Sequence, residues 1–185
     1  MLEKKLVTLV CAAGILACGA CFLPPLPEHV PPPPSVQLDL QGVHRIHVDA
    51  ENASATHHLN ADKLASWIAV KTGSEGRRLK LTAFSGPEST DEDGELKVTV
   101  VSESANPGQN AKKNGMVEWT FDVNVSAELR NKGGVTVWRE NEGHYQFRHF
   151  ETPGDEAAAW ADNELRDWLT VDVGNRLVFR MLNDR

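Results

Sequence analysis

The 185-residue chain has three cysteines, Cys11, Cys18 and Cys21, and none beyond position 21. That absence excludes a disulfide framework, a thiolate metal site and a cysteine nucleophile from everything downstream. Neither a GxSxG elbow nor a phosphate-cradling glycine loop occurs. Positive charge is short as well: 19 Lys and Arg stand against 26 Asp and Glu, a net of -7. A general nucleic-acid footprint needs the opposite balance, and broad adhesion to an anionic membrane face is disfavoured too. No internal repeat is visible.

What is there begins at the N-terminus. Lys4 and Lys5 precede an apolar run, Leu6 to Leu16, and Ile15-Leu16-Ala17-Cys18 closes it. A basic n-region, an apolar h-region and a small residue before cysteine form a bacterial lipoprotein signal. Cleavage before Cys18 makes that residue the lipid attachment point. Each buried acyl methylene adds about 0.8 kcal/mol, so several chains together anchor a protein stably. Two alternatives stay open. Leu6 to Leu23 is barely long enough for an uncleaved membrane anchor, and a plain secretory signal would be cut near Ala17 or Ala20.

After the cut, Cys18 to Ser35 reads as a tether. Pro24, Pro25, Pro27 and the run Pro31 to Pro34 favour polyproline II, a semi-rigid spacer. The chain is thus read as a signal peptide over 1–17, a lipidated tether over 18–35 and one domain over 36–185. About 150 residues suffice for a single substantial core. Without Glu3, Lys4 and Lys5, 25 acidic and 17 basic residues remain, net -8.

Val117 to Arg130 alternates apolar and polar without a break, which predicts a long strand with one buried and one wet face. Asn131-Lys132-Gly133-Gly134 is a hairpin turn. Val135 to Glu140 and His144 to Phe150 return, with Asn141-Glu142-Gly143 as a bulge or kink. Glu95 to Ser104 predicts another strand, and polar Ala105 to Gly115 a mobile hairpin loop. Shorter strands are expected from Val43 to Ala50 and Leu79 to Phe84. Asn60 caps a helix with Leu64, Trp67 and Ile68 on its apolar stripe, ended by Gly73. A second helix starts near Asp155, with a stripe of Ala161, Leu165, Trp168, Leu169, Val173, Leu177 and Met181 and a weak point at Gly174. The fold expected is α+β: a mostly antiparallel sheet of four or five strands with two helices packed on one face.

Chemistry is sparse. His44 and His47 differ in strand parity, and adjacent His57 and His58 diverge, so the histidines read as surface or partly buried rather than as metal ligands. Ser89 to Gly94 lacks the closing glutamate of a calcium loop and is an acidic turn. Glu118, Asp122 and Glu128 sit on a wet strand face. No enzyme, cofactor or metal is expected. Trp119 and Trp168 read as core and Trp160 as a surface aromatic at its helix margin. Trp138, opposite Val135 and Val137, is a candidate exposed contact for a partner.

Cys18-Gly19, a strand closing on Asp49-Ala50-Glu51-Asn52, a helix carrying Leu59 and Leu64, the hairpin Lys132-Gly133-Gly134-Val135-Thr136-Val137-Trp138 and a C-terminal helix follow in order. This succession resembles the lipopolysaccharide-assembly lipoproteins, the LptE-like family. The resemblance implies a non-enzymatic outer-membrane lipoprotein on the periplasmic face. It would bind an outer-membrane β-barrel translocon, help that barrel assemble and contact lipopolysaccharide, with no nucleic acid involved. The family's lipid contacts are basic residues near strand ends, which here means Lys112, Lys113, Arg130 and Lys132. Fourteen strand residues separate the two groups by about 45 Å, so they cannot form one site. A competing reading is a tethered regulator of a cell-wall synthase or transporter, since ten extended tether residues reach about 31 Å. A third is a structural lipoprotein with no specific ligand.

Overall fold

The computed structural model describes residues 40, 42–87, 91–113, 116–151 and 154–183, all within the second of the two units into which the chain divides, Val36–Arg185. The segments read as signal and tether, Cys18 included, lie outside the described residues. In chain order come β1 (Arg45–Asn52), α1 (Ala61–Glu75), a 3-10 turn (Gly76–Leu79), β2 (Thr82–Ser85), β3 (Gly94–Lys113), β4 (Met116–Asn131), β5 (Thr136–Glu151), a one-turn α2 (Glu156–Ala159) and α3 (Asn163–Asn183). The five strands form one sheet in the order β2-β1-β3-β4-β5.

The fold is α+β, as the periodicities predict. The three long strands pair antiparallel, while β1 runs parallel to both β2 and β3. Parallel neighbours need a crossover, and α1 supplies the one between β1 and β2. The fourteen-residue alternation becomes β4, with Trp119, Phe121, Val123, Val125, Ala127 and Leu129 buried. These pack in one core with Ile46, Val48, Leu96 and Val98 of the sheet. Leu64 and Ile68 of α1 join them, as do Leu165, Leu169, Val173, Leu177 and Met181 of α3.

Five expectations need correction. The stretch read as a loop from Ala105 is strand: β3 continues to Lys113, and Ala105 to Pro107 pair with Phe121 to Trp119. Pairing against a strongly patterned β4 outweighs the weak strand propensity of Asn, Pro and Gly. Gly73 lies inside α1, which ends at Gly76 instead. A Cβ at Gly76 would stand 2.7 Å from the Leu81 Cβ, so only glycine lets the chain double back there. The C-terminal helix is two helices. The Asp155 carboxylate accepts the Ala158 N–H at 2.9 Å, and Asp162 accepts that of Glu164 at 2.8 Å, so each aspartate starts its own helix. That break buries Trp160, which is 1% exposed, and leaves Trp168 49% exposed beside β5.

The bulge expected near Asn141 is present. Val125 pairs with Gly143 and Ala127 with Glu140, so β5 carries one extra residue there. A second bulge, at Val101, was not foreseen: Val100 pairs with Val125 but Ser102 with Asn124. It turns Val101 outward, 52% exposed, and Glu103 inward, 8% exposed.

Gly174 is where the two long helices approach. A Cβ there would lie 3.0 Å from Trp67 Cδ1 and 3.4 Å from Ile68 Cγ1. A branched side chain would wedge α3 off α1. Gly174→Leu is expected to lower stability by about 2–3 kcal/mol, read from denaturant melts.

Candidate functional site

The helices cover one face of the sheet, and the other presents polar side chains. Along β4, Thr120, Asp122, Asn124, Ser126 and Glu128 point away from the core, because side chains alternate along a strand. They are tied to their neighbours. Asp122 Oδ1 lies 2.8 Å from His144 Nε2 and accepts from Gln146 Nε2 at 3.1 Å. Asn124 donates to the Ser102 hydroxyl at 2.7 Å. Glu128 accepts from the Arg130 guanidinium at 2.7 Å, and also from the Thr136 hydroxyl and Arg139.

Those donors fix the charge state of the face. The hydrogen bond from Arg130, then those from Thr136 and Arg139, hold the Glu128 carboxyl down to about 2. Burial alone would raise Asp122, but the hydrogen bonds from His144 and Gln146 outweigh it and hold it below the usual carboxylate range. Each of these carboxylates already has its donor. A partner laid on this face would therefore not strand a bare charge, which is the usual penalty for covering polar surface.

The basic residues singled out in the sequence do not converge. Arg130 opposes Glu95 of β3 and Thr136 of β5 at one end of β4, and Lys132 follows in the turn, its backbone N–H bonded to Asp93 O at 2.7 Å. Lys112 and Lys113 pair with Val117 and Met116 at the other end. Trp138 is not an exposed contact. It opposes Leu129 on the covered face and is 8% exposed. Leu129 pairs with Trp138 but Arg130 with Thr136, so β5 carries an extra residue at Val137. That shift breaks the simple alternation, and Val137, expected on the opposite face, also packs against the core.

Glu103 escaped the sequence reading altogether. Its Oε2 accepts from the Ser54 hydroxyl at 2.7 Å, the Thr56 hydroxyl at 3.1 Å and the His58 backbone N–H at 2.8 Å. Its Oε1 accepts from Leu59 N at 2.7 Å and Asn52 Nδ2 at 3.0 Å. One carboxylate thus fastens the whole connection from β1 to α1. Within that loop His57 takes a left-handed φ of 52°, and His58 stacks on Trp160 at 4.5 Å between ring centroids. Burial holds His58 below its usual range, with Glu103 pulling the other way. Both histidines face a polar cleft shared with Asn163, Arg166 and Thr170 of α3. No sequence pattern announces this arrangement, because the bulge at Val101 is what aims Glu103 at it. Among the described residues, no three His, Cys, Asp or Glu side chains gather as a metal would require, and no helix is long and apolar enough to cross a membrane.

No family model and no curated protein matches the sequence. Among solved structures the chain is similar to a minor lipoprotein from Acinetobacter baumannii, at 12% identity and a TM-score of 0.41, over 77% of this chain and 95% of that one. It is similar to an uncharacterized lipoprotein B from Nitrosomonas europaea at 14% identity and a TM-score of 0.40, over 76% and 80% of the two chains. The rare lipoprotein B from Shewanella oneidensis matches at 10% identity and a TM-score of 0.38, over 73% and 92%. All three are bacterial lipoproteins. Likeness at this level carries no function across, so the assignment below rests on this chain's own residues.

Proposed function

We propose that this chain is a lipid-anchored, non-catalytic docking protein of the outer membrane, facing the periplasm. In this reading it binds a β-barrel translocon and assists lipopolysaccharide assembly. The uncovered sheet face carries the docking part: a broad polar surface whose carboxylates Asp122 and Glu128 are already paired with donors. The anchoring part is supported by the pattern Ile15-Leu16-Ala17-Cys18. The barrel and the glycolipid are supported by the resemblance in element order, with Arg130 and Lys132 at one end of β4 and Lys112 and Lys113 at the other as the candidate contacts. The proline-rich tether favours a second reading, a head that reaches away from the membrane to regulate a cell-wall synthase or transporter.

A pull-down of the tagged full chain from detergent-solubilised native membranes separates the two, with Cys18→Ala as control. The docking reading expects a large outer-membrane barrel recovered in near-equal amount, and loss of that recovery when Cys18 is replaced. Recovery of a cell-wall synthase would overturn it in favour of the tethered regulator. Recovery of no partner would leave the structural lipoprotein.

A further inference from the structure

The two edges of the sheet differ. β2 is a four-residue strand, the short edge that proteins use to discourage pairing. β5 is sixteen residues long, and among the described residues no strand pairs with its outer side. Its pairing with β4 is irregular at two points, at Val137 and opposite Ser126, and from Gly143 to Phe150 it runs in regular register with β4. A free row of backbone donors and acceptors this long is a template for another strand.

We infer that β5 pairs antiparallel with β5 of a second copy, about a twofold axis at Tyr145, joining two sheets into one of ten strands. The register follows from faces and charges. Residues directly opposite in an antiparallel pair point to the same face, so the axis must pass through a residue rather than between two. Centred on Tyr145, the pairing sets Glu142 opposite Arg148 twice, His144 opposite Gln146, and Gly143 opposite Phe147. Shifting the centre to Gln146 sets His144 opposite Arg148, and shifting it to His144 leaves Glu142 without a cation.

The helix layer fits the same partner. One flank of α3 is covered by α1, through Lys63 to Asp167 at 2.6 Å and Trp67 Nε1 to Asn175 at 3.0 Å. On the flank beside β5, no further helix packs among the described residues. Along it Trp168 meets Phe147 edge-on at 5.7 Å, and the Arg180 guanidinium lies 5.1 Å above the Tyr145 ring. Trp168 there is 49% exposed, and Phe179 of the same helix is 62% exposed. Strands sit about 4.8 Å apart and packed helices about 10 Å apart. A second copy on β5 would therefore bring its own α3 alongside the flank that carries Trp168. This goes beyond the docking reading, which uses the polar face and leaves the edge free.

The test uses the full chain with Cys21→Ser as background, in native membranes. His144→Cys and Gln146→Cys together, oxidised and run without reductant, are expected to give a covalent homodimer, and each alone far less. Arg148→Glu is expected to weaken self-association about tenfold in detergent sedimentation, and adding Glu142→Arg to restore it. Thermal melts of each variant confirm folding. Absence of a homodimer from folded protein overturns the inference. So does a cross-link from these positions to a different polypeptide, or a charge swap that fails to restore association.

Discussion

Replacing Glu103 with alanine should lower folding stability by about 3–4 kcal/mol, a large fraction of what a domain this size possesses. The carboxylate is 8% exposed and accepts five hydrogen bonds, two of them from the backbone N–H groups of His58 and Leu59. Truncation leaves those two donors buried with nothing to receive them, at roughly 1–3 kcal/mol each before relaxation. The Ser54 and Thr56 hydroxyls can rotate, but an N–H cannot. Glu103→Gln is therefore also expected to destabilise, by about 2 kcal/mol, because its amide turns one acceptor into a donor facing donors. Denaturant melts of both variants check the order. A Glu103→Gln protein as stable as the parent would mean that the loop is held by its packing and not by the carboxylate.

The same group fixes an acid limit. Burial by itself would raise the Glu103 carboxyl, but the hydrogen bonds from Ser54, His58, Leu59 and Asn52 outweigh it and leave the group below its ordinary range. A depressed native value means that the unfolded chain binds the proton more readily. The stabilisation is thus complete above the unfolded carboxyl value of about 4.3 and drains away as pH falls through the native one. Parent and Glu103→Ala stabilities should converge on acidification, starting below pH of about 5.

How much of this was legible in the sequence depends on local rules holding over distance. β4 was, because fourteen residues of alternation admit one reading, and so was the face of α3 that carries Leu165, Leu169, Val173, Leu177 and Met181. Those five repeat every fourth residue and all are buried. Trp168 was read as part of that stripe because it precedes Leu169, yet one residue is 100° of turn, enough to point it at the open flank beside β5. β3 was only half legible. A single extra residue at Val101 reverses the parity of everything after it, so the strand buries Glu103 and Ala105 where simple alternation would bury Ser102 and Ser104. No periodicity can register a bulge whose only mark is an outward valine. The clamp built on Glu103 was invisible for that reason, although Asn52, Ser54 and Thr56 standing close together before a capped helix are the donors such a carboxylate needs. The polar sheet face was legible in outline, since the polar half of the alternation is its inventory, while the pairing of its charges required β5 to be in place.

Trp160→Ala should cost about 3–5 kcal/mol, the range for emptying a buried aromatic site. The indole is 1% exposed, meets Phe121 of β4 edge-on at 4.9 Å and stacks flat against His58, 10° between planes. It therefore ties the break between α2 and α3 to both the sheet and the clamped loop. Its ring N–H has no hydrogen-bond partner among the described residues, so Trp160→Phe removes volume without breaking a bond and should cost no more than about 1.5 kcal/mol. The contrast between the two variants separates packing from polarity. Glu103 and Trp160 also hold the same residue from two sides, the carboxylate gripping the His58 backbone N–H and the indole its imidazole. Once either is lost, His58 is already released, and the second substitution has less to undo. The double variant should thus fall short of the sum of the singles by about 1 kcal/mol, as expected for residues that share a partner. Strict additivity in a double-mutant cycle would show instead that the loop and the helix junction are stabilised independently, and that His58 transmits nothing between them.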